Sequence, residues 1–259
     1  MKRALITGAS GGVGKELSYL LAEKGLSLFL TGRNEASLKE LQNTLSTKTK
    51  VEYLVCDLSK PDGCAALARV IENDAFDLVV NNAGFGLYGE VIALDLDEQL
   101  AMVEVNVKTL LHLSVVAART MSKAAVPGVI MNISSIAGFW STPNMAVYGA
   151  TKAFVTSFSE GLDFELAPKG IRVLTSCPGM ISSGFSKRAS RNSALPRLKF
   201  SMTPRKAAEE ILWQIVTKKP RHIFDAQSKW AMRITKLFPR FLQKQLVYKS
   251  IEKRLQREV

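Results

Sequence analysis

Histidine and cysteine are scarce in this chain: two histidines, His112 and His222, and three cysteines, Cys56, Cys64 and Cys177, among 259 residues. No two cysteines form a C-x-x-C pair, and neither histidine joins them in a ligand cluster. That argues against a structural metal and a disulfide framework, and for reduced thiols. Long apolar runs are missing too. No stretch of about 18 uninterrupted apolar residues exists, so a membrane-spanning helix is not expected. The opening "MKRALITGAS" enters a strand pattern too early for a secretion signal. An intracellular, cytoplasmic protein is therefore the expectation. Neither a repeat of fixed period nor a low-complexity linker offers a place to cut the chain. A hydrophobic content of 47% over this length suffices for one large core.

Acidic residues run short in the last third. Residues 1–183 carry 16 Lys/Arg against 18 Asp/Glu, net −2, whereas residues 184–259 carry 19 against 5, net +14, which together give the formal charge of +12. Between Gly184 and Ala208 stand seven basic residues and no acidic one, a local field rather than a bulk property.

Apolar runs alternate with helical patterns along the chain. "RALIT", "LSLFL", "VEYLVC", "DLVV", "GVIMNI", "IRVLTS" and a short "HIF" read as strands. Between them lie helical patterns over Val13–Lys24, Glu35–Leu45, Gly63–Glu72, a long run through "EQLAMVEVNVKTLLHLSVVAARTM", Met145–Ala167 and Pro204–Thr217. Strand–helix–strand at this rhythm implies parallel strands with helices on both faces, because parallel neighbours need crossovers. The fold class is α/β, a single doubly wound domain over residues 1–228, with 184–208 covering the site and 229–259 as an extension. In such sheets ligands bind beyond the carboxyl ends of the strands, where strand order reverses.

"TGASGGVG", residues 7–14, sits at one such end. A P-loop would need Gly-Lys followed by a hydroxyl residue, and Gly14-Lys15 is followed by Glu16. The G-x-G-x-x-G spacing fails as well, since the ordered glycines are Gly8, Gly12 and Gly14. Four further clusters follow at strand ends: "LTGRN", "CDLS", "NNAG" and "NISSIAGFWSTPNMAVYGATKAF". Together they resemble the short-chain dehydrogenase/reductase family over about residues 1–185, with weaker similarity beyond.

The resemblance implies a Rossmann-type domain whose T-G-x-x-x-G-x-G loop, here Thr7, Gly8, Ser10, Gly12, Val13 and Gly14, cradles a nicotinamide dinucleotide. It implies cofactor contacts from Asp57 and Leu58, from Asn82, Ala83 and Gly84, and from Pro178 and Gly179. Ser183 stands where the family carries threonine. At the end of the second strand an acid reads a free ribose 2′-hydroxyl, whereas a cation suits a 2′-phosphate. Arg33 supplies a planar fork, and no acid lies between Leu26 and Asn34, so NADP(H) is expected over NAD(H). A merely solvated arginine at a helix start is the alternative.

Tyr148 and Lys152 are four apart and share one helix face. A free phenol titrates near 10 and is a poor proton partner at neutral pH. An ammonium roughly 4 to 5 Å away contributes about 3 to 4 kcal/mol at an effective dielectric near 20, enough to lower the phenol by some 2 to 3 units. By the resemblance Tyr148 shuttles the proton, Lys152 tunes it, Ser135 holds the substrate carbonyl, and Asn106 supports a water chain to the lysine. A polar Asn amid an apolar helix is otherwise unfavourable, which fits a functional position.

Phe85, Phe139, Trp140, Met145, Met180 and Phe185 flank these motifs and suggest a lipophilic carbonyl or alcohol substrate. The cations of 184–208 suggest an anionic handle such as an acyl thioester carrier. In the extension, Trp230, Ile234 and Leu237, then Val247, Ile251 and Leu255, recur at helical spacing beside Lys and Arg. An anionic membrane surface, a partner subunit or the chain's own domain could each cover such a stripe. Nucleic-acid binding is disfavoured because no recognisable motif accompanies the charge. The expected protein is thus an oxidoreductase, a homo-oligomer as a dimer or tetramer, reducing a carbonyl with NADPH. The alternatives are an NAD-linked alcohol dehydrogenase and a non-catalytic dinucleotide sensor acting through its basic tail.

Overall fold

All seven apolar runs become strands of one parallel sheet in the computed structural model, which describes residues 1–189, 201–225 and 229–230. The strands are β1 (Arg3–Thr7), β2 (Ser27–Gly32), β3 (Val51–Val55), β4 (Leu78–Asn81), β5 (Gly128–Ile133), β6 (Ile171–Cys177) and β7 (Arg221–Ile223), in the order β3-β2-β1-β4-β5-β6-β7. Strand order reverses between β1 and β4, which pair with Leu5 opposite Val79. The turns that leave those two strands therefore flank the crevice where ligands of such sheets bind.

Side-chain alternation divides the core into two layers. Ile6, Leu30, Val80, Met131 and Leu174 face α1 (Gly12–Glu23), α2 (Glu35–Leu45) and α8 (Pro204–Thr217). Their neighbours Leu5, Phe29, Val79, Ile130 and Val173 face α3 (Pro61–Asn73), α5 (Leu110–Lys123) and α6 (Ala146–Leu166). Period-two strands buried on both faces produce this division, and it explains why the runs are continuously apolar.

The long apolar helix is interrupted. α4 (Leu96–Val103) passes into α5 through a π-helical turn, Glu104–Thr109. By length and composition alone, Leu96–Lys123 would cross a membrane, but half of its most apolar window is buried within the domain. It is a core helix lying on α3 and against α6. Among the described residues three short elements escaped the sequence pattern, 3-10 turns at Ile136–Phe139 and Ala167–Lys169 and α7 (Gly184–Ala189). The middle of the basic segment and the extension beyond Trp230, with Ile234, Leu237, Val247, Ile251 and Leu255, lie outside the described residues.

Candidate active site

The turn between β1 and α1 is built for close approach. Gly8 and Gly12 adopt φ of 66° and 54°, the left-handed region that strains other residues. Gly14 is fixed by space: a Cβ there would collide with the Gly8 carbonyl oxygen and come within 2.7 Å of Asn82 Nδ2. α1 starts with neither a side-chain cap nor an acid in its first turn. By contrast, α2 and α4 are capped by Asn34 and Asp95 and carry acids in theirs. The first amides of α1 are thus left for an anion from outside the chain.

Thr7 and Asn82 hold this turn from beneath. The Thr7 hydroxyl accepts from the Asn82 and Ala83 amides at 3.0 and 2.9 Å, and Asn82 Nδ2 donates to the Thr7 carbonyl at 2.9 Å. Thr7 is 1% exposed, so its side chain positions the loop that it was expected to contribute to directly. Asn81, next in "NNAG", donates to Ser114 Oγ and Asn132 Oδ1 at 3.0 and 2.8 Å within the sheet. Val13 packs partly against the core layer on the α1 side.

Gly8 and Ser10, Arg33 at the end of β2, Asp57 and Leu58 beyond β3, and Ala83 and Gly84 beyond β4 line one cleft at the switch point. α2 is capped by Asn34, whose Oδ1 accepts from the Ser37 amide at 2.9 Å. Arg33 is therefore not spent on starting that helix. Burial would raise Asp57, but hydrogen bonds from the Ser59 amide and hydroxyl, together with Arg33 and Lys60, hold its carboxyl below the ordinary value. The uncapped helix end, the glycine turn and a guanidinium over one cleft fit a dinucleotide with its phosphates. Ser59, the last residue of "CDLS", and Arg188 line the same cleft, and no sequence motif marks Arg188.

Ser135, Tyr148 and Lys152 converge on the other side of Gly84. Ser135 opens the 3-10 turn, and its hydroxyl lies near enough to the Tyr148 phenol to lower its pKa against burial. The neighbouring Ser134 is committed elsewhere, donating to the Lys152 carbonyl at 2.8 Å, so counting to Ser135 finds the hydroxyl beside the phenol. Gly138 brings that turn onto α6: a Cβ there would lie 2.6 Å from the Lys152 carbonyl carbon. Lys152 Nζ donates to the Ile133 carbonyl at 2.8 Å and lies 5.8 Å from the Tyr148 ring centre.

Asn106, fully buried, sits on the π-helical turn. Its Oδ1 accepts from the Phe85 amide at 3.1 Å, while Nδ2 donates to the Phe85 carbonyl and Thr151 Oγ1 at 2.9 and 3.2 Å. Asn106 thus braces the β4 loop and α6. The extra residue of a π turn is what carries a mid-helix side chain to such a place. A continuous 3.6-residue pattern hides it.

Electrostatics here differs from the sequence expectation. Burial pushes Tyr148 up to about 12, opposed by the Ser135 hydroxyl. Burial likewise pushes Lys152 down to about 8. The anticipated lowering of the phenol by Lys152 does not accompany these shifts; desolvation is the largest cause for both groups.

Ser183 accepts from the Phe185 amide at 3.3 Å, starting α7, and a Cβ at Gly12 would lie 3.8 Å from Ser183 Cβ. The Pro178 carbonyl accepts from the Ile136 amide at 3.0 Å, and Gly179 lies beside Ile136 and Asp225. The six apolar candidates separate. Phe85, Met145 and Phe185 cluster with Tyr148, whereas Phe139 and Trp140 pack with Cys177 and Ile223. Met180 is tied by its carbonyl to the Met202 amide at 2.9 Å. Of the seven cations, Arg205 faces Glu16, Glu23 and Glu209, and Lys206 faces Glu209 and Glu210. Those two serve surface ion pairs rather than a substrate handle.

The family model described as short chain dehydrogenase matches residues 2–194. The chain belongs to the short-chain dehydrogenase/reductase family. An uncharacterized oxidoreductase of Staphylococcus aureus is 32% identical over 224 residues, covering 86% of this chain and 93% of the relative. A short-chain dehydrogenase from Sphingobium yanoikuyae in complex with NADPH superposes with a TM-score of 0.84 at 28% identity, over 91% of this chain and 93% of that one. A Burkholderia phymatum short-chain dehydrogenase/reductase in complex with NAD gives 0.80 at 25%, over 90% and 92%. This short-chain dehydrogenase/reductase is an oxidoreductase of the kind that acts on CH–OH donors with a nicotinamide dinucleotide.

Proposed function

We propose that this enzyme reduces lipophilic carbonyl compounds with NADPH, using Tyr148 as proton donor. The observation that carries this reading is the meeting of the Ser135 hydroxyl and the Tyr148 phenol beside an apolar wall of Phe85, Met145 and Phe185. Ser135 and Tyr148 would both hydrogen-bond the carbonyl oxygen, fixing its carbon for attack. When bound, the reduced nicotinamide supplies the hydride. Tyr148 then releases its proton to the oxygen, and the buried Lys152 charge favours the phenolate that remains. Exposed Ile92, Leu96, Leu100 and Phe164 support assembly into a homo-oligomer.

Arg33 at the cleft supports NADPH over NADH, and the NAD-bound relative makes NAD-linked alcohol oxidation the competing reading. Arg33→Ala is expected to weaken NADPH about 10- to 100-fold, the worth of a charge-assisted phosphate contact, while NADH changes little. Fluorescence titration of both cofactors measures this. Equal weakening of the two would remove Arg33 from 2′-phosphate recognition, and tighter NADH binding by the wild type would favour the oxidative reading.

The pH dependence follows from the opposite shifts of the catalytic pair. Tyr148, pushed up to about 12, keeps its proton across the accessible range, so Lys152, pushed down to about 8, sets the alkaline limb. For carbonyl reduction kcat/KM should fall above about pH 8, roughly tenfold per unit, as the ammonium is lost. Lys152→Arg should move that limb upward. A limb that stays in place in the variant belongs to another group.

A further inference from the structure

α7 places a second guanidinium in the cofactor cleft. The guanidinium carbon of Arg188 lies 3.9 Å from the centre of the Phe85 ring, immediately after "NNAG". Its side chain lines the same cleft as Arg33, Ser10 and Asp57, though Arg188 and Arg33 lie far apart in sequence. The position is held from both ends of the helix. The Ala189 carbonyl accepts from the Tyr88 amide at 2.9 Å, and the Phe185 ring lies 5.7 Å from that of Tyr148. Gly86 makes room for this packing, because a Cβ there would lie 3.0 Å from Phe185 Cζ.

Asp57, the carboxylate at this cleft, is hydrogen-bonded to Ser59. Burial and the like charge of Arg33 hold the Arg188 guanidinium below its ordinary value, against the carboxylates of Glu98 and Asp57, which pull it up. Two cations facing one cleft repel each other, and an anion between or beside them relieves that repulsion. Stacking on Phe85 fixes the plane of the fork without using its N–H groups, which stay available for phosphate oxygens.

We propose that Arg188 is a dinucleotide-phosphate ligand delivered by α7, so that the helix carrying Phe185 against Tyr148 is held in place by the cofactor. The proposal rests on the dinucleotide reading and adds a residue from the substrate side of the cleft. By linkage, α7 docking and cofactor affinity rise and fall together. The ligand chemistry is a phosphate of the dinucleotide, either the 2′-phosphate or the pyrophosphate.

Isothermal titration of the full chain with NADPH, NADH and 2′,5′-ADP tests this without turnover. Arg188→Ala should weaken NADPH about 10- to 100-fold. Arg205→Ala, which breaks surface ion pairs, should leave it unchanged. Losses for NADPH and 2′,5′-ADP but not NADH would assign Arg188 to the 2′-phosphate. Equal losses for NADPH and NADH would assign it to the pyrophosphate, and 2′,5′-ADP, which keeps only the adenosine-side phosphate, would then tell which of the two phosphates it holds. Unchanged affinity for all three in Arg188→Ala, beside a wild type that binds NADPH, overturns the proposal. Failure of the wild type to bind either dinucleotide would instead overturn the cofactor reading beneath it. Should Arg188→Ala fold poorly, Arg188→Gln retains the size and polarity of the side chain without its charge, and it should show the same loss.

Discussion

Tyr148→Phe is expected to lower kcat about 10²- to 10⁴-fold, the range a positioned general acid contributes, while the dinucleotide Kd stays within about twofold. The ring is 7% exposed and packed with Phe85, Met102 and Val105, and phenylalanine fills the same volume in the same rotamer. Loss of the hydroxyl strands no partner. Ser135 Oγ still accepts from the Ala137 amide at 3.2 Å and donates to the Pro178 carbonyl at 3.4 Å. Stability should therefore change by less than about 1 kcal/mol, since a buried hydroxyl removed without orphaning its neighbour is nearly neutral. Stopped-flow or steady-state NADPH oxidation with a carbonyl panel, beside fluorescence titration of the cofactor, separates the two effects. Activity above about a tenth of wild type would remove Tyr148 from proton transfer.

The fold was legible because period-two burial on both sheet faces leaves continuous apolar runs, and all seven became strands. α2 and α8 appeared with the bounds read from the sequence, since Asn34 and Thr203 provide side-chain caps that mark where they begin. The site was legible where chemistry fixes spacing, as in the one-turn separation of Tyr148 and Lys152 along α6.

What stayed hidden depends on contacts between segments distant in sequence. The π turn at Glu104–Thr109 leaves no periodic signature, so the bracing of Phe85 and Thr151 by Asn106 could not be read. Arg188 looked like one of seven interchangeable cations until α7 set it over Phe85. The pKa expectation for Tyr148 failed for a related reason. Helical spacing reports the distance between two groups but not the burial of both, and burial prevailed.

Gly14→Ala is expected to weaken dinucleotide binding about 10²- to 10⁴-fold, equivalent to losing two charge-assisted contacts to phosphate. The added Cβ meets atoms that cannot yield separately: the Gly8 carbonyl is backbone, and Asn82 Nδ2 is anchored to the Thr7 and Gly8 carbonyls at 2.9 and 3.3 Å. Relief requires β1's turn and α1 to part, which carries the uncapped amides of α1 away from the position that the turn prepares for an anion. Overpacking costs about 1 to 3 kcal/mol of stability, so the variant should fold with a lowered Tm while losing cofactor affinity far more steeply. Gly11→Ala supplies the internal comparison. Its backbone is extended and nothing lies within 4 Å of its added Cβ, so it should bind within about threefold of wild type. If Gly14→Ala bound NADPH as tightly as Gly11→Ala does, the amides of α1 could not be the phosphate cradle, and the anion would have to be held by Arg33 and Arg188 alone.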